Sequence, residues 1–275
     1  MSHHIDLKQS LEHIDALPAM PVIAKEMLTL ALDTDEGEAR LLKLIAQDPQ
    51  ISARIIGLAN SSLFGAPGHI TSVSDAAMRL GLSQVKSVAI GMAAISALTK
   101  HPEAKLKSTD LWTHSIAIAS TMRTIAKHMP SKIRPLDDQI FLAGLLHDIG
   151  FSVINYIAKD LGNSLYDSMH STPDASLWDV ESDVLGTHHG DVGAQLGLSW
   201  SLPEDIITVI RHHHDPDHPD ASATPLVRLV NIAEKLLPDF AVTEHTTVTV
   251  TDAEWLGLGI DPEVAKTIAL DQPWY

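Results

Sequence analysis

The stretch Ile140–Phe151, IFLAGLLHDIGF, constrains the fold more than any other part of the chain, because it is apolar or glycine except for the adjacent pair His147 and Asp148. A helix that is apolar on every side belongs in the middle of a domain. An ionised carboxylate there carries a prohibitive desolvation cost unless a cation, a proton or several hydrogen-bond donors meet it. Imidazoles are at hand: His114 lies upstream, and His188, His189, His212, His213 and His214 lie downstream, nearly all in helix-like apolar context. Imidazole with carboxylate is the ligand set of a borderline transition metal, so a buried metal centre is one reading of Asp148. The other is a structural ion pair with Arg211 or with a protonated histidine, since buried charges are either paired or coordinate metals.

With 275 residues, 45% of them hydrophobic, the chain can bury a full core as one large domain or two lobes. It has no cysteine, which removes disulfides, thiolate zinc sites and cysteine nucleophiles, and leaves His, Asp, Glu and water as metal ligands. A formal charge of −16 repels a phosphate backbone and no local Lys/Arg cluster offsets it, so direct nucleic-acid binding is not expected. The longest apolar runs stop short of the roughly 20 residues that a membrane span needs, and Met1–Ser10 shows no basic-then-apolar signal pattern. The expectation is a cytoplasmic protein that does not cross a membrane, with no receiver or enzymatic domain attached.

Apolar residues recur every three to four positions through most of the chain, which predicts an all-α fold. Helices are expected over Leu7–Leu17, Val22–Leu32, Ala39–Ile45, Pro49–Asn60, Ser72–Leu82 and Ser83–Leu98. The acidic stretch Asp33–Gly37 reads as the turn of an antiparallel helical pair, and Ser61–Gly68 as a turn cluster. A long helix capped by Ser108 or Asp110 carries His114 on its apolar stripe, where a lone histidine is more often a satisfied core residue than a ligand. Leu136–Ala158 reads as one central helix, followed by Asp174–Leu185, Gly190–Leu198, Leu202–His213 and Thr224–Leu237. Thr246–Thr251 is the one β-like run, and Asp252–Leu258 and Pro262–Leu270 close the chain as helices. Trp112 and Trp200 read as packing residues, and Asn60 as a helix end that could also meet a partner.

His114, the tetrad His147-Asp148-Ile149-Gly150, His189 and the pair His213-His214 together resemble, in order and context, the HD superfamily of all-helical, metal-dependent phosphohydrolases. The front half resembles the HDOD branch, in Leu17-Pro18, Asp48-Pro49-Gln50-Ile51, Leu58-Ala59-Asn60-Ser61, Ile70-Thr71-Ser72 and Leu80-Gly81-Leu82. Further matches are Val192-Gly193-Ala194, Trp200-Ser201-Leu202-Pro203 and His213-His214-Asp215-Pro216, so the likeness spans roughly residues 10–240. It implies an N-terminal helical lobe over residues 1–105, an HD-like lobe with the metal site over 106–240, and a C-terminal helical extension over 241–275.

Carried over position by position, the resemblance makes His114, His147, Asp148, His189, His213 and His214 metal ligands, with Asp148 bridging if two metals bind. Glu234 stands where the family's last acidic ligand is usually aspartate. The implied cofactor is a divalent transition metal, Fe, Mn, Ni or Zn, one or two per chain or none. In a hydrolytic member such a centre activates water and neutralises phosphate charge, with Asp148 and His147 as the catalytic pair. Two departures weigh against catalysis: Phe151 stands where active members often have lysine, and Asp215-Pro216-Asp217-His218-Pro219 replaces the glycine-rich extension of the cyclic-dinucleotide phosphodiesterases. The HDOD branch is similar to bacterial signalling modules, which implies a regulatory output acting through a protein partner. The alternative is a metal-dependent phosphohydrolase acting on a nucleotide or phosphate ester.

Overall fold

A computed structural model describes residues 17–61, 64, 70–99, 102–172, 175–221, 224–237 and 249–268. Among them the regular structure is helical throughout, and the fold is all-α. The helices are α1 (Val22–Thr29), α2 (Asp35–Ala46), α3 (Pro49–Ala59), α4 (Val73–Leu80), α5 (Leu82–Leu98), α6 (Ser108–Ala126), α7 (Asp137–Leu146) and α8 (Ile149–Ile157). They continue as α9 (Lys159–Ser171), α10 (Leu177–Leu185), α11 (His189–Ser199), α12 (Glu204–His212), α13 (Pro225–Leu236), α14 (Asp252–Gly257) and α15 (Pro262–Ala265).

Local chemistry sets many of the helix starts. Asp48 accepts hydrogen bonds from the N–H groups of Gln50 and Ile51 with Pro49 at the first helical position, and Ser72, Ser176 and Thr251 cap α4, α10 and α14 in the same manner. Thr34 caps α2 by accepting from Gly37, so the acidic stretch expected as a turn instead forms the helix's first turn, where Asp35, Glu36 and Glu38 face the positive end of the dipole. Asn60 clamps the chain after α3: its amide donates to the Ile70 carbonyl at 2.8 Å and its Oδ1 accepts from the Ile70 N–H at 3.0 Å.

The expected central helix Leu136–Ala158 is two helices, α7 and α8, broken at His147 and Asp148. Asp148 adopts φ −96° and ψ 14°, off the helical path. Taken as one stretch, Asp137–Ile157 is 21 residues long and by length and composition could cross a membrane, which corrects the sequence expectation. Its most apolar window is 83% buried inside the protein, as the core helix of a globular fold is. Helix α9 is absent from the sequence reading. The last helix ends at Ala265 rather than Leu270. Leu7–Leu17, apart from Leu17 itself, and residues 246–248 of the β-like run lie outside the described residues; of that run, Thr251 caps α14.

A single hydrophobic core runs from Ala24 and Met27 in α1 to Leu258 and Ile260 after α14. Helix α6 packs on α7 and α13, α5 packs on α1 and α7, and α11 is held between α8 and α12. This arrangement brings the α7–α8 break, the start of α11, the end of α12 and one face of α13 around a common point beside His114 of α6.

Candidate metal centre

His147, His189 and His213 are aimed by the ends of helices, whereas His114 stands within α6. His147 terminates α7, and its Nδ1–H donates to the Gly144 carbonyl at 2.8 Å, one of the carbonyls a helix end leaves unpaired. His213 terminates α12 likewise, with Nδ1 3.1 Å from the carbonyls of both Val209 and Ile210. A carbonyl can only accept, so both rings carry their proton on Nδ1 and turn the Nε2 lone pair inward. His189 opens α11, and its Nδ1–H donates to the Glu181 carboxylate at 2.7 Å, which also lies 3.3 Å from the His189 backbone N–H. Glu181 thus caps α11 and fixes the His189 tautomer at once. Asn231 of α13 donates to the His213 carbonyl at 2.9 Å, steadying the end of α12.

The inward nitrogens converge on Asp148. Its Oδ2 lies 3.4 Å from Nε2 of His114 and 3.3 Å from Nε2 of His147; its Oδ1 lies 3.5 Å from Nε2 of His189 and 3.4 Å from Nε2 of His213. Glu234 reaches in from α13, with Oε1 3.3 Å from His147 Nε2 and Oε2 3.8 Å from His214 Nδ1. The predicted ligands are therefore gathered in two groups that share Asp148, His114 and His147 on one side and His189, His213 and His214 on the other, and Glu234 spans them, meeting His147 with Oε1 and also standing near His213 and His214. His114, His147, Asp148, His189, His213 and Glu234 are all buried, and His214 stands at the rim.

Among the described residues neither carboxylate oxygen of Asp148 or of Glu234 has a hydrogen-bond partner, although all four are buried. The Nε2 atoms of His114 and His147 are 3.2 Å apart, and those of His189 and His213 are 3.1 Å apart. His189 and His213 both donate through Nδ1, so their Nε2 lone pairs face each other and call for a proton or a metal ion between them. His114, whose Nδ1 has no partner among the described residues, can instead donate to or accept from His147. Spacings of 3.1–3.5 Å match the edges of a coordination shell with bonds of about 2.0–2.2 Å, so the residues present fit a borderline divalent metal. Without one, the chain holds a proton instead. Burial disfavours the His147 cation, yet Asp148 and Glu234 overcome it and raise its pKa to about 10. Burial likewise opposes the charge on Asp148, but the His147 cation beside it keeps that carboxylate ionised. His114 goes the other way, lowered to about 4 by burial and by its histidine neighbours.

Arg211 is not the partner of Asp148; it lies near the surface, 3.6 Å from Asp191. His188 stacks on Trp178 and sits outside Glu181, and His212 stacks on His218, so neither faces Asp148. Phe151 is buried and stacks on His189 at 4.2 Å. Trp200 packs in the core with its indole N–H on the Pro18 carbonyl. Glu181, which holds the His189 ring and backbone, is a residue that the sequence reading passed over.

The fold and this centre define an all-helical protein of the HD type, with a buried histidine and carboxylate cluster split about one shared aspartate. The HDOD domain family matches residues 17–216, and the chain belongs to that family. It is similar, at 25% identity, to an HDOD domain protein of unknown function from Geobacter sulfurreducens whose solved structure aligns over 98% of this chain and 97% of that one with a TM-score of 0.77. A candidate signal transduction protein from Marinobacter aquaeolei VT8 is 28% identical, with a TM-score of 0.77 over 97% of this chain and 58% of its own. An uncharacterized protein of Treponema pallidum is 25% identical over 224 residues; the alignment takes in 81% of this chain but 42% of that relative's length.

Proposed function

We propose that this protein is a bacterial signalling module that holds one or two divalent transition metals in its HD-type centre and acts through a protein partner rather than by turnover. The observation that carries this reading is the closure of the centre around Asp148. All the ligands except His214 are buried, and Phe151 is stacked on His189. A substrate phosphate needs a cation and room beside the metal, and on that side it meets a phenyl ring. The likeness to the Marinobacter aquaeolei protein supports a signalling role.

Bound here, a divalent metal supplies Lewis acidity and a positive charge. His114 and His147 would hold one ion and His189, His213 and His214 the other, with Asp148 and Glu234 within reach of both groups. A second reading, phosphohydrolase activity on a nucleotide or phosphate ester, draws on one observation. A cleft of about 330 Å³, lined by Trp178, His188, Arg211 and His212, ends on His189 and His214.

Elemental analysis of untagged protein purified without chelator tests the centre. About one or two metal equivalents per chain are expected, lost in Asp148→Asn. Wild-type protein that cannot be loaded with Mn, Fe, Ni or Zn would remove the metal from the proposal. A screen of nucleotides and p-nitrophenyl phosphate is expected to stay at background; turnover abolished by Asp148→Asn would establish the second reading instead.

A further inference from the structure

Away from the metal centre, α4 and α5 meet at a 117° bend made at Gly81, whose φ of +91° favours glycine. Helix α5 is 17 residues long and begins there without a capping side chain or an acidic residue in its first turn. The backbone N–H groups of Leu82, Ser83 and Gln84 have no acceptor among the described residues. Gln84 is 5% exposed; its Oε1 accepts from Nη1 of Arg123, and its Nε2 has no partner among the described residues. The Arg123 guanidinium lies 5.4 Å from the Phe64 ring centroid and forms no ion pair among the described residues. The nearby Asp137 is instead taken by Arg134 at 2.6 Å.

These groups face one hollow of about 200 Å³, lined by Leu82, Ser83, Gln84, Arg123, Asp137 and Phe141. A helix N-terminus presents free donors and a partial positive charge, and here it is joined by a guanidinium and by a buried amide N–H₂ that lacks an acceptor. We propose that this hollow binds a small oxyanion of the phosphate class, which accepts from the first-turn N–H groups of α5, from Gln84 Nε2 and from Arg123. The hollow sits where α4 and α5 of the front half meet α6 and α7 of the HD-like half, so an anion there bonds to both. The inference is independent of the metal reading.

The test is a titration of the ¹⁵N-labelled full chain with inorganic phosphate against chloride at constant ionic strength, following the amides of Leu82, Ser83 and Gln84. Saturable shifts of these three amides are expected, unchanged in Asp148→Asn and weakened about tenfold or more in Gln84→Glu, which replaces the free donor by a carboxylate. Arg123→Met should weaken binding likewise and Arg123→Lys should restore part of it, which separates loss of the anion from loss of fold. Adenosine monophosphate in a parallel titration shows whether an ester or the free anion is preferred. Absence of saturable shifts at the three amides would overturn the proposal, as would shifts that vanish in Asp148→Asn but persist in Gln84→Glu.

Discussion

His147 and His213 each use one nitrogen to finish a helix and the other to face Asp148, and His189 uses Glu181 for the same end. The residues that meet at Asp148 were legible in the sequence, because an ordered set of histidines around a carboxylate in an apolar helix stands out from the core pattern. The sequence did not announce Glu181, eight residues ahead of His189, which reads as one more surface glutamate. The signal was there: Glu181 falls on the apolar stripe Leu177, Val180, Val184 and Leu185 of α10, a place where a carboxylate needs a reason. Glu181→Gln should keep the fold and weaken metal binding about 10–100-fold, as loss of a charged outer partner of a ligating histidine does. Competition against a calibrated chelator measures this, and an unchanged affinity would remove Glu181 from the centre. His147 carries a second prediction. Its pKa is raised from 6.5 to about 10, so its proton stabilises the metal-free fold fully below about 6.5 and ceases to do so as pH rises through 10. A metal must displace that proton, so apparent affinity should rise with pH between 6.5 and 8 by about tenfold per unit. Calorimetry in two buffers of different ionisation enthalpy would show the released proton, and a pH-independent affinity would refute the account.

At the scale of elements, the break between α7 and α8 is what turns a core helix into a site. A continuous helix would spread His147 and Asp148 along adjacent faces; the turn at Asp148 lets one carboxylate serve both histidine groups. Helix α8 must then approach the start of α11 closely, and Gly150 permits it: a Cβ there would lie 1.9 Å from the His189 carbonyl oxygen. Gly150→Ala should therefore destabilise the protein by on the order of 1–3 kcal/mol or more and weaken the metal site by pushing His189 away, read by thermal unfolding with and without metal. An alanine variant with unchanged unfolding and metal content would show that α8 and α11 have slack. Helix starts were legible where a cap stood directly before a proline, as at Asp48-Pro49 and Thr224-Pro225, but not at Thr34, whose acidic first turn reads as a loop. Helix α9 was not legible either: its residues Asp160, Gly162, Asn163 and Ser164 are weak helix formers, and its start at Ala158 bends the chain at φ −143° with neither glycine nor proline to mark it. Its three buried residues Gly162, Leu165 and Met169 earn it a helical face only against the rest of the fold.

At the scale of the whole molecule, α5 decides how separable the front and HD-like halves are. It buries Val85, Val88, Ala89, Ile90, Ala93 and Ala94 with no polar face to speak of, as a helix does when it is covered on all sides. Toward the front, Lys86 donates to the Leu30 carbonyl beyond α1 at 2.9 Å; toward the rear, Ser87 donates to the Asp138 carbonyl at 3.1 Å and Leu145 packs on Gly91. Helix α7 in turn is buried from Ile140 to Leu146, and that packing holds His147 in register. Residues 106–240 expressed without α5 would leave part of this apolar surface in water, so the fragment should be a loosely packed, dye-binding species that keeps helical circular dichroism, loses its near-ultraviolet signal and holds little metal. Residues 17–268 should instead melt in one transition that moves upward when metal is added. A fragment 106–240 with a sharp transition and full metal content would show that the HD-like half stands alone. The opposite result would mean that any partner disturbing the front helices also disturbs the metal centre, through α5 and α7, with no further machinery required.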